Sequence, residues 1–311
     1  MRLLHIMLLT AAVGGVSSIR AQSDSSTYAG ACRAAIGPIP PFSCGDGVRL
    51  PITVAGAPVD GKPPLECDRP ALLDNGADSD GQCVPNSRIL SLSTWSAQIA
   101  VMCRQKHNRS PSSLLFDEID VIAHNPATGA TCWFQALGDT GKPVEGEHVS
   151  SPTEAADSQY WRAPRDVAAN GCGLCHDAGP FVFSPFVGQV WDRMPVDPVG
   201  PYFHIDPGKF GFDAWPTLMI SPRDNACLGC HHIGVGASCG SPTLFMTGRA
   251  TPAGADGWAK TFLGSHPMPP AFTGSPTAWG EIYAGSVDQI HSCCEHPDQA
   301  FCSTTPRRSE Q

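Results

Sequence analysis

The chain has 311 residues, 41% of them hydrophobic, which suffices for the core of one large or two modest domains. A formal charge of −9 argues against nucleic acid or anionic lipid as a partner. Glycine (32) and proline (30) make up about a fifth of the residues, which predicts much irregular structure, and the lack of a Gly-x-y period excludes collagen.

In chain order, the first element is an export signal over residues 1–21. Met1-Arg2 is its basic start, residues 3–16 are apolar except for His5 and Thr10, and residues 17–21 form a cleavage region. Cleavage after Ala21 or Ser18 fits imperfectly, because Ile19 or Val16 then stands three residues before the cut. The apolar run is too short for a comfortable membrane span, and no other stretch approaches 18 apolar residues. A periplasmic or secreted chain with no membrane span after cleavage is therefore expected. Loss of Arg2 and Arg20 with no acid leaves it at about −11. Cys32 follows Ala29-Gly30-Ala31, faintly like a lipoprotein site, but lies too far from the apolar run.

Residues 22–150 read as a small, mostly β domain. Turn signals recur at Gly37-Pro38, Gly45-Asp46-Gly47, Gly56-Ala57-Pro58 and Asp74-Asn75-Gly76. Residues 48–54 alternate as a strand would, and residues 88–93 fit either a strand or the start of a helix through Met102. The clearest element is a hairpin, with residues 119–123 and 131–135 flanking Asn125-Pro126-Ala127-Thr128-Gly129. Asp74, Asp78 and Asp80-Gly81 resemble a calcium loop. In the EF-hand register, however, Gly76 falls at position one and Ser87 at position twelve, so a solvated turn is the better reading and calcium a weak one.

The next region opens on Ser151-Pro152-Thr153-Glu154, a capping box that predicts a helix through Tyr160 and Trp161, broken at Pro164. Then comes Cys172-Gly173-Leu174-Cys175-His176. Ser221-Pro222-Arg223-Asp224 repeats the cap before Cys227-Leu228-Gly229-Cys230-His231. Each five-residue string is followed by breakers, Gly179-Pro180 and then Gly234 and Gly236, so each closes a short helix and opens a loop. Both strings are C-x-x-C-H, the attachment motif of c-type haem. Thiols three positions apart share one face of a helical turn and can add across the two vinyl groups of one porphyrin. The adjacent His then meets the iron. A Cys₄ zinc site is the rival, but 51 residues separate Cys175 from Cys227, and zinc gives no reason for a His after both pairs.

On these two motifs, residues 151–290 resemble a dihaem c-type cytochrome. The resemblance implies two covalent haems c, export-linked maturation and a redox role. Cys172 and Cys175 would bind one haem with His176 as proximal ligand, and Cys227 and Cys230 the other with His231. Met268, in His266-Pro267-Met268-Pro269-Pro270, is the expected distal ligand of the second haem. Met194, in Arg193-Met194-Pro195, is a candidate for the first, where His204 and His124 compete. His232 is read as pointing away from the iron. His291 and His296 flank Cys293-Cys294, whose cysteines disulfides explain more simply than a metal does.

Ten cysteines remain: six precede the first motif, and Cys239, Cys293, Cys294 and Cys302 follow the second. Even counts on both sides predict about five disulfides closed within each half. Their pairing stays open, except that Cys293 and Cys294 should bond to different partners. The expected fold is α+β with much irregular structure: a disulfide-stapled β-rich domain (22–150), a mainly helical and loop dihaem domain (151–290) and a Cys-containing tail (291–311). The expected role is electron transfer between redox partners, whether a protein or a small-molecule donor or acceptor. A dihaem oxidoreductase with one open or labile iron is the alternative.

Overall fold

The computed structural model of the chain describes residues 13–69, 71, 83–138, 142–154, 160–182, 184–194, 200–229, 231–240, 243 and 276–306. The helices among them are α1 (Val13–Ile36), α2 (Pro164–Ala168), α3 (Pro185–Gly188), α4 (Pro207–Phe210) and α5 (Pro276–Glu295). The strands are β1 (Val48–Arg49), β2 (Thr53–Val54), β3 (Ala57–Pro58), β4 (Arg88–Ser91), β5 (Gln98–Arg104), β6 (Leu115–Phe116), β7 (Glu118–His124), β8 (Ala130–Leu137), β9 (Val144–Glu145), β10 (Phe203–His204), β11 (Leu218–Ile220) and β12 (Thr304–Pro306). The fold is a mixed α/β structure with several disulfides.

The expected hairpin is β7–β8, paired from Glu118↔Leu137 to His124↔Thr131. Its turn forms because the Asn125 side-chain oxygen accepts from the backbone N–H groups of Ala127 (3.0 Å) and Thr128 (3.3 Å). Gly129 supplies a left-handed φ of 86°. The hairpin anchors a six-stranded sheet of order β1-β4-β5-β7-β8-β10, antiparallel except for β10, which runs parallel to β8. Residues 88–91 are a strand rather than a helix start. The run 48–54 divides into two short strands on either side of Pro51, which has no N–H to give a ladder.

One sheet face is sealed. Ile99, Val101 and Cys103 of β5, Ile119, Val121 and Ala123 of β7, and Cys132, Phe134 and Ala136 of β8 are all buried there. Helix α1 covers this face with Tyr28, Cys32 and Ile36. Complete burial of Tyr28 stabilises the helix by roughly 1.5–3 kcal/mol, and the Trp133 backbone N–H donates to its hydroxyl at 3.0 Å. Gly37, at φ 108°, ends α1 by donating its N–H to the Arg33 carbonyl.

All ten cysteines outside the two motifs are in disulfides: Cys32–Cys132, Cys44–Cys103, Cys67–Cys83, Cys239–Cys294 and Cys293–Cys302. Three close within the first half and two within the second, and the adjacent Cys293 and Cys294 take different partners, as expected.

The opposite face is half-covered. Gln98, Met102, Asp120 and Ile122 on it are half-buried. The register continues this face through His124, Thr131, Trp133, Gln135 and His204. Strand β10 and the buried Trp161, Val167, Tyr202, Phe210, Phe212 and Trp215 share a core with the hairpin, so the core draws on both sides of residue 150. A second cluster joins Leu50, Ile52, Ile89, Phe186 and Val190. A third joins Ile220, Ile290 and Cys293 beneath α5.

Two local expectations differ. Tyr160 and Trp161 are not helical, and Pro164 begins a helix at its first position, where a missing N–H costs nothing. No helix among the described residues is long and apolar enough to cross a membrane.

Candidate haem-attachment sites

The first motif is itself one helical turn. Cys172–Leu174 is a 3-10 helix, and the backbone N–H groups of Cys175 (3.1 Å) and His176 (3.0 Å) both donate to the Cys172 carbonyl. His176 Nδ1 lies 2.9 Å from the Pro180 carbonyl oxygen. A carbonyl only accepts, so Nδ1 carries the proton and the lone pair lies on Nε2, the atom through which this ring could bind a metal. The Pro of the breaker after the motif thus fixes the histidine tautomer.

An aromatic wall holds this turn against the half-covered sheet face. The His176 ring meets Trp133 edge-on at 4.9 Å, Trp133 meets Trp215 at 5.3 Å, and the Tyr202 hydroxyl donates to the His176 carbonyl at 2.6 Å. Trp215 is pinned in turn by its indole N–H to the Ala168 carbonyl at 2.8 Å. A Cβ at Gly173 would overlap the Trp215 ring, so no side chain fits there. Gly173→Ala is expected to cost about 1–3 kcal/mol, read as a lower urea midpoint. An unchanged midpoint would mean that Trp215 moves aside freely.

A buried polar network runs from the motif into the sheet. Asn170 Nδ2 donates to Gln135 Oε1, as does Arg162 at 2.7 Å. Gln135 Nε2 donates to Glu118 (2.8 Å) and Asp120 (3.0 Å). Glu118 also takes Lys106 at 2.6 Å and Arg104 at 3.3 Å. Burial raises the Glu118 pKa, but these two cations outweigh it and hold the carboxyl below its ordinary range. Burial first, and the Glu118 charge second, push Asp120 well above it.

The carboxyl of Asp120 is therefore stabilising when protonated. That contribution is complete below the ordinary pKa of 3.8 and is lost as pH rises through the raised value. Asp120→Asn keeps the shape without the charge. Relative to the parent it should gain on the order of 1 kcal/mol between pH 5 and pH 8. Urea midpoints at the two pH values check this, and an equal loss at both would contradict it.

The cysteines divide by chemistry. Among the described residues, those outside disulfides are Cys172, Cys175 and Cys227, all in the motifs, and Cys230 lies outside the described residues. Burial, then Asp120 and Glu118, push the Cys172 thiol up to about 12; burial, then Asp177, raises Cys175; and burial raises Cys227. Redox-active dithiols have lowered pKa values, so these thiols are poor exchange nucleophiles. Two protonated thiols three positions apart and an imidazole with its Nε2 lone pair are a set able to anchor a porphyrin and bind its iron. Among the described residues no group of three or more His, Cys, Asp or Glu side chains converges as a bare metal site.

The second motif rests on α5. Asn225 Oδ1 caps it by accepting from the Cys227 N–H at 3.0 Å, while Asn225 Nδ2 donates to the Ser286 carbonyl (2.8 Å) and Gln289 Oε1 (3.0 Å). The His231 N–H donates to the Cys227 carbonyl at 2.9 Å, the same turn as in the first motif. Cys227 and Leu228 pack with Ile220, Ile290 and Cys293, so the disulfides at Cys293 and Cys294 staple the helix that carries the motif.

Asp177, directly after His176, is completely buried and reaches the loop after the second motif. Its carboxylate accepts from the Gly236 N–H (2.8 Å), the Ser238 hydroxyl (2.6 Å) and the Ser238 N–H (3.4 Å). Burial pushes this carboxyl up to about 6, against the pull of those bonds.

Of the expected distal ligands, Met268 lies outside the described residues, as do Asp74, Asp78 and Asp80 of the acidic loop. Met194 packs on the second cluster, whereas Cys172 packs on the first. His204 accepts the Trp133 indole N–H at Nδ1 (3.0 Å). His124 Nδ1 pairs with Thr131 Oγ1 at 2.8 Å. The threonine proton goes to the Gly129 carbonyl (3.1 Å), so His124 Nδ1 is the donor and its lone pair is on Nε2. Sequence reasoning missed Trp133, Trp215, Tyr202 and Asp177. Only Asp177 carried a local signal, its place beside His176.

Comparison with known proteins finds no matching family model, no similar curated protein and no similar solved structure.

Proposed function

We propose that this chain is an exported dihaem c-type cytochrome that passes electrons between redox partners, with residues 151–290 carrying both haems. The observation behind this reading is the partition of cysteines. All ten outside the motifs are bonded in pairs, while the motif cysteines described stand apart as protonated thiols. Chemistry that spares C-x-x-C pairs in a disulfide-rich chain and needs a histidine beside them is thioether attachment of haem. Disulfides suit an oxidising compartment, in line with an export signal over residues 1–21.

Bound haem supplies reversible one-electron chemistry at iron. The chain does the rest. Cys172 and Cys175 hold one macrocycle, and Cys227 and Cys230 the other. His176 presents Nε2 to the metal because the Pro180 carbonyl holds its Nδ1 proton. Trp133, Tyr202 and Trp215 keep water from the histidine's sheet side. The net charge favours a basic protein partner or a small-molecule donor or acceptor over an acidic one.

Optical and electron-spin-resonance spectra of the exported holo-protein test the carrier role. Two low-spin irons that cycle reversibly are expected, and the band of a thioether–iron bond should vanish in Met268→Ala. A high-spin iron that binds peroxide or carbon monoxide would favour a dihaem oxidoreductase instead.

A further inference from the structure

One completely buried carboxylate that the functional reading leaves without a task is Asp177. It follows the proximal histidine of one motif, yet its hydrogen bonds go to the loop of the other, 59 and 61 positions along the chain. A charged side chain at zero exposure is costly unless its acceptors are filled. Here both oxygens are engaged: one by the Gly236 and Ser238 backbone N–H groups, the other by the Ser238 hydroxyl.

The receiving loop is shaped around the carboxylate. A Cβ at Gly234 would overlap the Asp177 carboxyl group, and one at Gly236 would stand 2.8 Å from an oxygen. The Ser238 hydroxyl also accepts the Gly234 N–H at 2.7 Å, which closes the loop on itself. The same loop is tied to β11, where the Ile220 N–H donates to the Ile233 carbonyl and the Val235 N–H to the Leu218 carbonyl.

We infer that Asp177 is a positioning residue that locks the two C-x-x-C-H sites into one unit and sets the separation and relative orientation of their haems. The inference rests on the haem reading of both motifs. One residue step separates His176 from Asp177, and three separate Gly234 from His231. At about 3.6 Å of reach per residue, the α-carbons of the two proximal histidines lie within roughly 20 Å of each other. That span is comparable to the width of two porphyrins. With both haems bound, an electron entering at one would have the other close at hand. Asp177 is not among the residues read as iron ligands. It acts through the backbone on either side, by holding the turn after His176 against the turn after His231.

The test is the electron-spin-resonance spectrum of the fully oxidised holo-protein, taken with its intact mass, for the parent, Asp177→Asn and Ser238→Ala. Asparagine keeps the volume but loses the charge, and its amide N–H must either face the Gly236 and Ser238 N–H groups or take the place of the acceptor for the Ser238 hydroxyl proton; Ser238→Ala removes one donor without touching the motif. With two haems confirmed by mass, the parent should show mutual broadening of the two ferric signals. Ser238→Ala should weaken it, and Asp177→Asn should abolish it while leaving each iron low-spin. Two haems whose signals add as independent centres in the parent would overturn the inference and leave the functional reading standing. So would parent-like broadening in both variants. Fewer than two haems by mass would overturn both. If Asp177→Asn fails to fold, the parent and Ser238→Ala spectra still decide the matter.

Discussion

Replacing Cys32 and Cys132 together by alanine should lower the folding free energy by about 4–5 kcal/mol, the largest loss among the five disulfides. Their sequence separation is 100 residues, against 59 for Cys44–Cys103, 55 for Cys239–Cys294, 16 for Cys67–Cys83 and 9 for Cys293–Cys302. The longer the loop a bond closes, the more unfolded-chain freedom it removes. This bond also ties α1 to strand β8, with both cysteines completely buried. Helix α1 has few other means of staying put. Its sequence is rich in Ser and Ala, and it docks through Tyr28, Cys32 and Ile36. Urea unfolding of the variants should rank them by loop length. A Cys67/Cys83 double variant that loses as much as the Cys32/Cys132 one would show that strain or local packing, rather than chain entropy, dominates.

Replacing Cys172 and Cys175 together by serine should reduce covalently bound haem from two per chain to one, a loss of about half the haem absorbance. The matching change at Cys227 and Cys230 should do the same. The two should add, because thioether attachment at each motif uses that motif's own thiols, even though Asp177 ties together the loops that follow them. Haem content of the purified variants, measured on the denatured protein, checks this. Loss of all haem from either variant would mean that the sites are filled in obligatory order. Loss of none would remove haem attachment at that motif from the account.

What the sequence makes legible is what is local. The β7–β8 hairpin announces itself through alternating branched and aromatic residues around an Asn-Pro-x-x-Gly turn, and the disulfide total follows from even cysteine counts on each side of the motifs. The pairings do not follow, because they depend on which strands become neighbours. Helix α1 is hidden because residues 13–21 read as part of an export signal and the rest as the start of a mostly β domain, and what holds it is a bond to Cys132. Pro164 reads as a helix stop, though proline starts a helix as readily as it ends one. Strand β10 is invisible for a different reason. Two residues, Phe203 and His204, show no period, and they pair only because β8 offers them an edge.

The site divides in the same way. The thiols and the histidine of each motif are carried by five consecutive letters. The wall that receives His176 comes from Trp133, Tyr202 and Trp215, which lie far apart in the chain and are gathered by the sheet. Asp177 is visible beside the motif, but its partners at Gly236 and Ser238 are not, since nothing in a linear chain says which loop a carboxylate will meet.

Covalent haem on both motifs is read out by the intact mass of the purified protein, followed by mapping of its proteolytic peptides. The expected result is the added mass of two haems, one on the peptide holding Cys172 and Cys175 and one on that holding Cys227 and Cys230. A mass with no haem, or motif cysteines joined as disulfides, would contradict it.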